Sequence, residues 1–102
     1  MTETQNTGRP NLSALSNNEA LHRFEWHEAG ETSYITYHHD GDLLVLDHSF
    51  VPKNLAGRGV GSRMVKVALD ELLRSDRKIA VRCDFIEHVI SGNEAYRSLL
   101  EH

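Results

Sequence analysis

A chain of 102 residues has room for one domain around one core. Its single cysteine, Cys83, excludes an internal disulfide and the disulfide-stapled secreted scaffolds. No run approaches the roughly eighteen apolar residues of a membrane span, and no charged-then-apolar leader opens the chain, so a soluble, cytoplasmic protein is expected.

Charge narrows the partners. The formal net charge is -4, yet from His48 to Leu69 there are four basic residues (Lys53, Arg58, Arg63, Lys66) and no acidic one, leaving the remainder at -8. An acidic chain with one basic island does not resemble a nucleic-acid binder, which carries positive charge over a whole face; the island suits a compact anion.

Residues 1–18 are rich in Thr, Asn, Ser and Gln without periodicity and read as a flexible tail ahead of a domain over 19–99. Leu21 to Glu28, "LHRFEWHE", sets His22, Phe24 and Trp26 against Arg23, Glu25 and His27, the alternation of a strand, with Trp26 in the core. Ala29-Gly30 turns the chain into "ETSYITYHH", a second strand dense in β-branched and aromatic residues. Asp40-Gly41 predicts a tight hairpin whose two central residues need positive φ. The neighbouring His38, His39, Asp40 and Asp42 could suggest a metal, but adjacent side chains in a turn diverge, and turn chemistry explains them better. "LLVLDHSFV", Leu43 to Val51, is apolar on both faces at its start, as a central strand is, and Pro52 ends its ladder.

Val60, Met64, Val67, Ala68 and Leu72 then recur at helical spacing, predicting a helix from about Gly59 to Arg74. Ile79, Val81, Cys83 and Phe85 alternate with Ala80, Arg82 and Asp84 as a fourth strand. A last helical region covers Glu87 to Leu99 with a break near Ser91-Gly92. Leu100-Glu101-His102 resembles the start of a histidine tag. The order β-β-β-α-β-α describes an α/β protein with a mixed sheet: antiparallel hairpins first, then a parallel pair flanking the crossover helix.

The junction "VPKNLAGRGVGSRMV" carries the functional signal. Glycines where a strand meets a helix let successive amides converge, and the first helical turn adds unpaired N–H groups and the positive end of the macrodipole. That is an anion seat, to which Arg58 and Arg63 add forked donors. It is not a nucleotide-hydrolase loop, because no Gly-Lys pair exists, nor a dinucleotide fingerprint, because the third glycine position holds Ser62 or Met64. A glycine-rich turn that binds nothing is the plainer alternative.

These residues resemble the coenzyme loop of the GNAT superfamily of N-acetyltransferases, V-x-P-x-x-R-G-x-G-I-G-S, at Gly57, Arg58, Gly59, Val60, Gly61 and Ser62, with Ala56 where that pattern has Gln or Arg. His48 in "DHSFVP", Cys83 in "CDFI" and Tyr96 extend the likeness to a compact single-domain branch over residues 21–99, with Ser49 replacing its usual Thr and "GNEAY" its "HPEY". The resemblance implies a GNAT-like fold, acetyl-CoA as co-substrate, no metal, and an amine acceptor. It places Phe50, Val51, Leu55, Arg63 and Asn93 along the coenzyme together with the loop.

By the same resemblance His48 becomes the candidate base; strand parity alone makes it a packed histidine beside Leu46 and Phe50. Histidine's ordinary pKa near 6.5 suits the task of freeing an amine. Cys83 is either a small buried hydrophobe or a lining of the thioester pocket able to accept the acetyl group. Tyr96 either protonates the departing thiolate or anchors the core, and His22, His27 and His88 carry no signal. A coenzyme-binding module with little transferase activity, or an interaction domain with a vestigial loop, stays open at this stage.

Overall fold

The computed structural model describes residues 14–100. Residues 1–13 and 101–102, most of the expected tail and two residues of the expected tag, lie outside them. Five strands form one sheet in the order β1-β2-β3-β4-β5: Leu15–Asn18, Arg23–Glu28, Glu31–Asp40, Leu43–Phe50 and Ile79–Val81. The first four are antiparallel neighbours, and β5 joins β4 in parallel. The helices are α1, Val60–Arg74, α2, Asp84–Ser91, and α3, Glu94–Arg97.

The tail reading is corrected at its end. "LSNN" has little strand propensity of its own, but Leu15 pairs opposite Trp26, and the β2 edge supplies the ladder. At the other end Leu100 belongs to the fold: it bridges Ile79, whose amide donates to the Leu99 carbonyl at 2.9 Å.

The two hairpins use different turns. Ala29 and Gly30 both have positive φ, +57° and +75°, between the paired Glu28 and Glu31. In the second, Asp40 pairs with Leu43, so the central residues are Gly41 and Asp42, not Asp40 and Gly41 as the sequence suggested, and only Gly41 is left-handed at +61°. A glycine at the first central position is enough for that turn.

One face of the sheet, the inner one, carries Phe24, Trp26, Ile35, Tyr37, Leu44 and Leu46, all buried under α1. The helix answers with Val60, Met64, Val65, Val67, Ala68, Leu69 and Leu72. Met64, Val65 and Leu69 are fully buried, each stabilising by about 1.5–3 kcal/mol relative to exposure. Leu44, Val45 and Leu46 are buried consecutively, as a central strand requires.

The fourth strand is shorter than its alternation predicts. Arg82 still donates to the Leu46 carbonyl at 2.9 Å, but β4 and β5 part there, and Cys83 becomes the residue before α2. Asp84 and Glu87 place acids in the first turn of that helix, and Ile86, Val89 and Ile90 bury one face, so helical spacing prevails once the strand has lost its neighbour.

Because Ala29 sits in a left-handed conformation that L-alanine disfavours and asparagine tolerates, Ala29→Asn should stabilise the protein by about 0.5–1 kcal/mol. Urea unfolding measures this; a lower midpoint would contradict the turn geometry described here.

Candidate active site

β4 sets the site's layout through one irregularity. Thr36 pairs with His48 and Tyr37 with Leu46, so Asp47 has no partner and forms a bulge. Its carboxylate reaches His38 Nδ1 at 2.7 Å on the outer face. The extra residue shifts the alternation. His48, opposite Thr36, joins Asp47 outside, whereas Ser49, opposite Ile35, faces inward and Phe50, opposite Tyr34, outward.

This revises the parity reading of His48: the bulge takes it off the face of Leu44 and Leu46, and it is exposed. Phe50 also faces outward, its ring stacked on Tyr34 at 5.0 Å with Arg23 4.4 Å above the tyrosine ring. His38 and His39 diverge, the latter to Arg77 at 3.1 Å, in keeping with turn chemistry.

Inside, where β4 and β5 have separated, the Ser49 hydroxyl lies 3.4 Å from the Cys83 thiol. Cys83 is half-buried, and the group hydrogen-bonded to its thiol is this hydroxyl rather than an imidazole. Ser49 also lines a cleft of about 340 Å³ with Val51, Phe85 and the glycine loop.

The loop is pinned at both ends, Leu55 and Val60 being 3% and 1% exposed. Between them Gly57 and Gly59 take φ of +82° and +77°. Not every amide in it is available. Leu55, Ala56, Arg58 and Arg63 donate to Pro52, Lys53, Leu55 and Gly59 carbonyls. Five remain without a partner among the described residues, namely those of Gly57, Gly59, Val60, Gly61 and Ser62. They occupy one loop and the first turn of α1, where the macrodipole is positive.

Gly61 has ordinary helical φ but no room to spare: a Cβ there would stand 3.2 Å from Phe85 Cε2 and 3.3 Å from Val51 Cγ2. The two arginines divide their work. Arg58 is exposed and its guanidinium has no partner among the described residues. Arg63 is committed, Nη2 to Glu28 at 2.7 Å and Nη1 to the Arg58 carbonyl at 3.2 Å. It buttresses the loop from β2. The Trp26 N–H and then Arg63 hold the Glu28 carboxyl below its usual pKa, against partial desolvation.

Tyr96 and Asn93 each bond within the protein itself. The Tyr96 hydroxyl donates to Asp70 Oδ1 at 2.9 Å, tying α3 to α1, and burial followed by that carboxylate pushes its pKa up to about 12. Asp70 is two turns beyond Ser62, about 12 Å along the helix, so this phenol is an anchor and not a donor at the strand opening. Asn93 caps α3, its Oδ1 accepting from Ala95 and Tyr96 amides at 2.8 and 3.4 Å. Sequence reasoning missed Ser49 and Phe85: the first was noted only as a replacement, the second was assigned to a strand.

Residues 23–99, the span that holds the glycine loop, the parted parallel strands and the crossover helix, match the family described as GCN5-related N-acetyl-transferase. The chain belongs to the GCN5-related N-acetyltransferases. A GCN5-like candidate N-acetyltransferase from Staphylococcus aureus, solved by NMR, superimposes with a TM-score of 0.63 at 26% identity over 89% of each chain. Comparison with curated proteins finds no match. Acetyl transfer is therefore the activity class of this chain, and the mixed five-stranded sheet is the fold that carries it.

The anchor assignment of Tyr96 in this acetyltransferase has a pH signature. The folded state holds the phenol proton to about pH 12, whereas an unfolded tyrosine gives it up near 10. Its contribution is complete below pH 10 and lost as pH rises toward 12. Wild-type stability should fall more steeply than that of Tyr96→Phe over this range; parallel denaturation curves would contradict the assignment.

Proposed function

We propose that this chain transfers the acetyl group of acetyl-CoA to a primary amine. The observation that carries the reading is the set of five free amides, Gly57 and Gly59 to Ser62, converging at a helix start beside an uncommitted Arg58. A diphosphate satisfies such a cradle, and the narrow space at Gly61 fits close backbone approach. Arg58 adds charge from solvent.

From that cradle the cleft runs between Val51 and Phe85 to Ser49 and Cys83, where the parted strands give a pantetheine arm its place. The coenzyme, when bound, supplies the activated acetyl thioester. This chain's residues position it and manage protons. An alkyl ammonium with a pKa near 10.4 costs about 4–5 kcal/mol to deprotonate at neutral pH, so a base at the acceptor side matters.

His48 is the residue for that task. It points to the face of β4 opposite the cleft, just beyond the last β4–β5 pair, Leu46 and Val81, and an acceptor reaching it would enter where that pairing ends. Neighbours in sequence, His48 and Ser49 thus serve acceptor and donor sides of one strand. Cys83 finds a hydroxyl, not a base, as its partner, which favours direct transfer to the amine over an acetyl-cysteine intermediate.

Coenzyme A at a hundred times its dissociation constant should stabilise the fold by about 2.7 kcal/mol, and the absence of any thermal shift at millimolar ligand would end this reading. Gly61→Ala should leave stability nearly unchanged, since about 1 kcal/mol of gained helix propensity offsets the tight contacts, yet weaken coenzyme binding several-fold. Amine-dependent thiol release should drop about 100-fold or more in His48→Ala and persist in Cys83→Ala. Loss of turnover with Cys83→Ala, together with an acetyl adduct on wild-type Cys83, would establish the covalent route instead.

A further inference from the structure

We propose that Lys66 and His88 recognise the 3′-phosphate of the coenzyme's adenosine end. This rests on the diphosphate reading of the glycine loop.

Ser62 supplies the last free amide of the cradle and borders two clefts at once. One leads to Ser49 and the parted strands, where the thioester must go. The second starts from the same residue and is open to whatever lies on the other side of the diphosphate. That groove, about 260 Å³, runs between α1 and the α2–α3 corner and is lined by Ser62, Lys66, His88, Val89, Gly92 and Asn93. Its volume falls just below the usual range of whole-ligand cavities, as suits one part of a ligand whose remainder is held elsewhere.

Ser62 and Lys66 are four residues apart on α1 and share a face, which sets the ammonium one turn beyond the cradle. Among the described residues Lys66 makes no ion pair, and neither its ammonium nor the His88 ring has a hydrogen-bond partner. The next carboxylate on that helix face, Asp70, has Oδ1 engaged by the Tyr96 hydroxyl at 2.9 Å. The same bond fixes the floor of the groove, because Tyr96 lines it. Gly92 keeps the wall low: a Cβ there would meet only the Val89 carbonyl, at 3.7 Å. A cation and a ring N–H therefore line one groove that begins at the diphosphate seat, with no acceptor assigned to either among the described residues. A phosphate monoester is the group that uses both.

The test compares coenzyme A with dephospho-coenzyme A, identical but for the 3′-phosphate, by calorimetric titration of the whole chain. Wild type should prefer coenzyme A by about tenfold or more. Lys66→Met, which keeps the aliphatic stem, should reduce that preference to about twofold while leaving affinity for the dephospho form unchanged; His88→Gln should reduce it in the same direction by a smaller factor. An unaltered preference in Lys66→Met, or equal weakening of both ligands, overturns the inference while the diphosphate reading stands. Failure of wild type to bind either ligand overturns both.

Discussion

The structure turns on main-chain hydrogen atoms that the protein leaves unused. Amides near a protein's core are nearly always paired, and a helix start normally obtains a side-chain cap. Here the residue before α1 is Gly59, which has no side chain to offer. Leu55 and Val60, buried on either side, hold the segment in place, and the two left-handed glycines set its path. Arg63 closes the arrangement by bonding both the Arg58 carbonyl and Glu28. An arginine next to an anion seat invites assignment to the anion, yet a guanidinium already forked onto a carboxylate and a carbonyl is a brace. Its neighbour Arg58 is the one with donors to spare.

A second constraint concerns phase. A strand shows alternate side chains to its two faces, and one inserted residue exchanges the faces for everything beyond it. Asp47 is that residue. Without it His48 would lie under α1 with Leu46, and Ser49 would point away from Cys83. With it, one strand presents an imidazole on the open face and a hydroxyl on the cleft face. The hydrogen bond between Asp47 and His38 is half-exposed and contributes about 1 kcal/mol at most. The register is set instead by burial of Leu44, Leu46 and Ile35, which leaves the bulge as the remainder between two well-packed stretches.

What was legible in the sequence followed from local rules. Val60–Arg74 is found within a residue of the expected helix because seven buried apolar positions repeat at its period. The glycine loop is legible because few other backbones need Gly-x-Gly-x-Gly at a helix start. The errors come from non-local causes. "IAVRCDF" satisfies period two, while Asp84 to Ser91 satisfies period 3.6, and the overlap at Cys83 to Phe85 is settled only by where β4 diverges from β5. The side His48 takes depends on a missing partner across β3. Strand β1 depends on the exposed edge of β2, which "LSNN" does not announce.

Tyr96 shows why a motif position does not fix a role. A phenol can donate a proton to a leaving thiolate only if it is near the sulfur and loses that proton at accessible cost. Burial and Asp70 raise the Tyr96 pKa to about 12, and both act against release. Its hydrogen is directed at Asp70 Oδ1, two turns away from the cradle's last free amide. What remains at the strand opening is the Ser49 hydroxyl against the Cys83 thiol, a contact that holds the thiol in one orientation at the end of the cleft. A phenol held at about 12 would oppose proton transfer to a coenzyme thiolate by several powers of ten. On the proposed reading, the proton economy of the leaving group therefore belongs to the parted strands and to solvent entering between them. The tyrosine's contribution is to keep α3, and with it the wall of the neighbouring groove, in register with α1.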